Sequence, residues 1–181
     1  PEKRSERFGV SAANEKRISI AYYNLSVKEN KDKILQAYQK SIEFYRKAFE
    51  AEPSNHWVIT QYLSMLAVTK LTEDEAMTGL EKEYGHWWRV ARQISHWQML
   101  NSVGEDRAWA YGTLAELNLL GSVYGGEEYQ EDAAIEEITS YCNEILKICE
   151  PDEFPVQSTA RQFRRYSDIW QLAKWDSLAK A

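Results

Sequence analysis

Residues Ile34 to Leu66 read ILQAYQKSIEFYRKAFEAEPSNHWVITQYLSML, and this stretch decides the fold class. Ile34, Tyr38, Ile42, Tyr45 and Phe49 recur at the helical period, so the spacing predicts an amphipathic helix over about residues 32–52. Pro53 has no N–H to continue that helix, and it pushes Glu52 away from helical angles, so the chain must turn there. Ser54 or Asn55 then offers a side-chain oxygen to the free amides of a following helix. That helix, about 54–71, carries Trp57, Val58, Ile59, Tyr62, Leu63, Leu66 and Ala67, apolar around much of its circumference. Its place is in the middle of a bundle, and the two helices form a hairpin.

Counting back from Pro53, Ala48 lies five residues earlier, Tyr45 eight and Ser41 twelve. These spacings resemble the second helix of a tetratricopeptide repeat, where a small residue lets the neighbouring helix approach and an aromatic fills the gap beside it. The register departs from the consensus at the polar stretch Lys28 to Asp32, which falls inside the expected first helix. The resemblance implies a tetratricopeptide-like right-handed solenoid of antiparallel hairpins. It also implies inward positions Trp57, Thr60, Gln61 and Ser64 on the third helix, where relatives that clamp a C-terminal carboxylate carry Lys, Asn or Arg. With no cation there, such a clamp is not expected.

Outward from this hairpin, the apolar segments keep the helical period and none alternates long enough for a strand. Residues 1–13 are polar and aperiodic and are expected to be disordered or the remnant of a longer chain, leaving 14–181 as one helical-repeat domain. A first helix is expected over about 14–28, with Ile18, Ala21, Tyr22 and Leu25 inward. Thr72 and Glu75 form a capping-box pattern ahead of a fourth helix. Its stronger part, GHWWRVARQISHWQML, places Trp87, Val90, Ala91, Ile94 and Trp97 on one face. A fifth helix follows Gly104 and ends at Gly121; a sixth, about 128–149, presents Ala134, Ile138, Tyr141, Cys142, Ile145 and Ile148. After Pro151 and Pro155 a seventh, about 156–178, presents Val156, Ala160, Phe163, Tyr166, Trp170 and Ala173. About seven helices in antiparallel hairpins make the fold class all-α.

Composition narrows the function. A net charge of −6 over 181 residues opposes a phosphate-neutralising nucleic-acid surface. No apolar run approaches the roughly 20 residues of a membrane-spanning helix, and the start PEKRSER is not a signal peptide, so a cytoplasmic protein with protein or peptide partners is expected.

The residues that carry chemistry elsewhere are scattered here. His56, His86 and His96 each precede a tryptophan, but none has a partner four residues away, and His86 and His96 stand about 15 Å apart along one helix. Cys142 and Cys149, seven residues apart on an apolar stripe, are about 10 Å apart and read as reduced, buried thiols. The acidic run Glu127, Glu128, Glu131, Asp132, Glu136 and Glu137 lacks the ExxH pairs of a di-iron bundle and reads as a solvated face. There is no CxxC, no glycine-rich phosphate loop and no GxSxG. No catalytic residue, metal or cofactor is therefore assigned, and the protein is not expected to be an enzyme.

Two features are candidates for contact. Arg161, Arg164 and Arg165, with Lys174, are the densest basic cluster and suit an acidic partner or a phosphate. Of seven tryptophans, Trp57, Trp87, Trp97, Trp109 and Trp170 fall on predicted apolar stripes, whereas Trp88 and Trp175 fall off them and are expected as exposed interface aromatics.

The segments EPSNHWVITQYLSML, WAYGTLAELNLLG and VQSTARQFRRY together resemble the helical repeat region found in bacterial proteins beside caspase-like (CHAT) or other effector domains. They are also similar to the TRAFs-binding segment of certain eukaryotic stress kinases. The resemblance implies a non-catalytic regulatory or scaffolding module that recruits a protein and controls a neighbouring effector. Two other readings fit the residues: a helical bundle with a small molecule in a Trp-lined pocket, and a homo-oligomeric assembly through uncapped ends.

Overall fold

In the computed structural model, which describes residues 2–72, 79–171 and 173–180, every regular element among the described residues is helical. The described residues form eight α-helices: α1 Glu2–Leu25, α2 Val27–Ala51, α3 His56–Thr72, α4 Leu80–Asn101, α5 Gly104–Tyr124, α6 Glu131–Ile148, α7 Phe154–Arg164 and α8 Ala173–Lys180. The chain divides into two compact units, Pro1–Met77 and Thr78–Ala181, where the sequence reading expects one domain.

In the first unit, the Pro53 turn forms as its residues dictate. Helix α2 ends at Ala51, Glu52 leaves the helical region (φ −150°, ψ 82°), and Asn55 Oδ1 accepts the Val58 amide at 3.2 Å to cap α3. Asn55, not Ser54, is the cap. The predicted close approach at Ala48 is also present: Ala48 is fully buried, and its carbonyl accepts the Ser5 hydroxyl at 3.0 Å.

The helix that approaches it is the surprise. Residues 2–13, expected to be disordered, form the first half of α1, and the chain breaks at Ser26, whose Oγ accepts the Glu29 amide to cap α2. The polar stretch 28–32 therefore lies in the first turns of α2. The buried residues of α1 are Ser5, Gly9, Ala12, Lys16 and Ser19, a heptad spacing of four and three, while Ile18 and Leu25, predicted inward, are exposed. On α2 the matching seam is Ile34, Ala37, Tyr38, Ser41, Tyr45 and Ala48. Small and hydroxyl side chains let the two backbones come close. Each buried hydroxyl-to-carbonyl bond there contributes about 0.5–1.5 kcal/mol, which compensates for the little apolar area that Ser and Gly bury.

Helix α1 also lies against α3. A Cβ at Gly9 would stand 2.9 Å from the Trp57 ring, and Lys16 Nζ donates to Gln61 Oε1. Thr60, Gln61 and Ser64, the positions a repeat would turn toward a ligand, are all buried.

The second unit is built around α5. All residues from Gly112 to Gly121 are buried, including Thr113, Glu116 and Asn118, because α4, α6, α7 and α8 each pack against this helix. The predicted seventh helix is two. A π-helical turn over Arg165–Trp170 ends at Gln171, whose left-handed angles (φ 38°, ψ 37°) redirect the chain into α8. A non-glycine residue at positive φ adopts that region only where its surroundings enforce it. Here Trp170 and Trp175 both stack edge-on against Tyr166, at 4.9 Å each, and hold the reversal closed. The proposed capping residue Glu75 lies outside the described residues, as do the side chains of Thr72, Ala173 and Lys174.

Candidate interaction surfaces

Trp88 and Trp175, read from the sequence as contact residues, belong to the core. Trp88 is 2% exposed; its indole N–H donates to the Leu117 carbonyl at 2.7 Å, and the Arg92 guanidinium lies 4.8 Å from its ring centre. The reason is a rotation of the buried stripe. Helix α4 packs through Leu80, Gly85, Trp88, Ala91 and Ser95, one residue or about 100° from the stripe through Trp87 and Ile94. Ala91 belongs to both stripes, while the small residues Gly85 and Ser95 mark the buried face and hydrophobicity alone passes over them.

A cradle on α5 receives the Trp88 ring. A Cβ at Gly121 would stand 2.7 Å from the Tyr129 ring and 3.3 Å from Trp88, so only glycine fits between them. The Tyr129 hydroxyl is buried with no hydrogen-bond partner among the described residues, and burial, with Glu131 nearby, pushes it up to about 12. Trp175 is wholly buried because the reversal at Gln171 folds α8 back; its indole N–H donates to Ser122 Oγ at 3.2 Å.

What the chain exposes is a different tryptophan. Trp97, expected inward, is 67% exposed, and Leu100 and Val103 follow at three-residue steps, 67% and 78% exposed. Gly104 opens α5 after Val103, and Glu105 and Asp106, also exposed, follow in its first turn. Trp97 and Leu100, three residues apart, thus share an exposed face at the end of α4, and Val103 is exposed in the extended link to α5.

The three arginines of the basic cluster have different neighbours. Arg161 stacks over Phe154 at 5.6 Å, and Arg165 donates to Gln162 Oε1 at 2.7 Å. Arg164 is exposed at the mouth of a cavity of about 320 Å³ bounded by α6, α7 and α8. Ile138, Ile145 and Phe163 are its buried floor; Cys142, Val156, Thr159 and Ala160 its half-buried walls; Leu146, Arg164 and Lys180 its exposed rim. No tryptophan is among the described residues that line this cavity.

Behind this cavity a buried carboxylate fastens the unit. Glu116 Oε1 accepts from Gln162 Nε2 at 2.9 Å and from the Tyr166 hydroxyl at 2.8 Å, tying α7 and the π turn to α5. The acidic run is partly tied down as well. Glu128 pairs with Arg89 at 2.8 Å, and Glu137 accepts from Asn118 at 2.8 Å; Glu127, Glu131, Asp132 and Glu136 are exposed. His86 and His96 are exposed, while His56 is buried at the start of α3. Cys149 is buried and Cys142 half-buried; burial raises both thiols above their ordinary range, with Glu153 adding to the effect at Cys149.

With this geometry in place, comparison gives no relative: no protein-family profile, curated protein or solved structure matches the chain.

Proposed function

We propose that the chain is a non-catalytic helical interaction module, with tetratricopeptide-like hairpins, that serves a larger regulatory or effector protein in the cytoplasm, on a bacterial pattern. The observation that carries the reading is the exposure of three large apolar residues close in sequence, Trp97 and Leu100 on one face of α4 and Val103 in the link that follows. A tryptophan two-thirds exposed beside two aliphatic residues is the composition of an interface centre, and Glu105 and Asp106 supply a polar rim. Burying each of the three contributes roughly 1.5–3 kcal/mol before ordering costs, the scale of a reversible regulatory contact. The partner this fits is a protein presenting an apolar patch bordered by Lys or Arg.

A photo-crosslinking residue at position 97 identifies the bound protein, which is then purified and titrated. A Trp97→Ser/Leu100→Ser variant with unchanged melting temperature and at least tenfold weaker affinity for that protein supports the reading. Undiminished affinity overturns it, and so does a concentration-dependent mass of the chain by light scattering that this variant abolishes, which assigns this surface to self-assembly.

A further inference from the structure

The cavity between α6, α7 and α8 is independent of the exposed α4 face, and we infer that it is a site for a linear aliphatic carboxylate, its chain between Ile138, Ile145 and Phe163 and its head group on Arg164. Three observations lead there. The first is volume: about 320 Å³ lies at the lower end of the range of small-molecule sites, suited to a single narrow chain. The second is the layering of the lining, whose buried and half-buried residues are uncharged and, Thr159 apart, apolar, with charge only on the exposed ones. A ligand matching that gradient has an apolar body and one polar end.

The third is the sign of the charge. The chain carries 28 acidic against 22 basic residues, yet the described lining holds Arg164 and Lys180 and no carboxylate. The rim thus opposes the prevailing charge of the protein. An Arg guanidinium presents a planar fork of donors that matches a carboxylate in bidentate fashion. An aliphatic cation would meet repulsion at that mouth, and an uncharged alkane would leave the Arg164 match unused. The wall residue Cys142 gives the site a built-in reporter, since a chain seated between Ile138 and Phe163 covers its thiol.

The sequence contains two cysteines, so Cys149→Ser leaves Cys142 as the single thiol. Its labelling by N-ethylmaleimide is followed at pH 8.5 with dodecanoate held below its micellar concentration. The expected result is saturable protection, slowing labelling at least fivefold, with 1-dodecanol and dodecyltrimethylammonium at least tenfold weaker. Arg164→Ala should lower dodecanoate affinity to that of the alcohol, and Ala160→Phe, which fills the cavity, should abolish protection. Calorimetry of dodecanoate binding to the unsubstituted chain repeats the affinity measurement without the Cys149 change. No protection and no heat at any submicellar concentration overturns the inference, as does equal binding of the cationic amphiphile. Protection by phosphatidylglycerol vesicles but not by monomeric dodecanoate would also overturn it, assigning the site to a membrane surface instead.

Discussion

The Ser41 hydroxyl donates to the Ala12 carbonyl at 2.9 Å, and one heptad away Ser5 donates to the carbonyl of Ala48. Seven residues back along α1 correspond to seven residues forward along α2, so the two bonds report a single antiparallel register held over both. A hydroxyl can reach a backbone carbonyl of the next helix only where the backbones nearly touch. Ser41 and Ala48 are the small positions whose spacing from Pro53 resembles a repeat helix, and the close neighbour they admit is α1.

From this register, Ala48→Leu should place three extra carbons where the α1 backbone passes, overpacking the seam at a cost of about 1–3 kcal/mol. Thermal unfolding should show the first unit melting earlier. An unchanged melting temperature would mean α1 does not occupy that groove.

The same seam shows why part of the fold is legible in sequence and part is not. Helix α2, the Pro53 turn and the Asn55 cap rest on local chemistry, where apolar period, missing N–H and capping oxygen all act within a few residues. Helix α1 packs through Ser5, Gly9, Ala12, Lys16 and Ser19, which carry no apolar period at all, while its apolar residues Ile18 and Leu25 face solvent. A method that looks for hydrophobic stripes inverts such a helix. The break at Gln171 has no Pro or Gly to announce it and follows from the packing of Trp170 and Trp175 on Tyr166. For the cavity, Ile138, Cys142, Ile145, Val156, Ala160 and Phe163 are all legible as inward positions and Arg164 as part of a basic cluster. That a void is left between them depends on side-chain volumes across three helices, which periodicity does not encode.

Trp88 and Trp97 exchange the roles expected of them, and paired substitutions should show it. Trp88→Ala removes a buried indole and its bond to Leu117, costing about 3–5 kcal/mol. Trp97→Ala, on the exposed face, should change stability by no more than about 0.5 kcal/mol. Denaturant melts of the two variants check this directly; similar losses in both would contradict the assigned face of α4.

Tyr129 makes a pH prediction. Its hydroxyl is raised to about 12 against an ordinary value of 10, because burial disfavours the phenolate. Above pH 10 the unfolded chain releases this proton while the folded one retains it, so stability is complete below 10 and falls as pH climbs toward 12. Tyr129→Phe should flatten that limb and leave neutral-pH stability about unchanged, since the hydroxyl it deletes lacks a described partner. Melting temperature against pH from 9 to 12, with phenolate absorbance followed in parallel, tests both halves.

Glu116 offers the sharpest test of what holds the second unit together. Its Oε1 receives two donors, Gln162 Nε2 and the Tyr166 hydroxyl, all three residues being buried. Glu116→Ala removes the acceptor and leaves both donors without it, at about 1–3 kcal/mol for each. Tyr166→Phe removes one donor and keeps the carboxylate satisfied by Gln162, so its cost should be the smaller. The double variant Glu116→Ala/Tyr166→Phe should then cost less than the sum of the two, because either single change already removes the bond between these two residues. Strict additivity in a double-mutant cycle would mean that the bond across α5 and the π turn contributes nothing to stability.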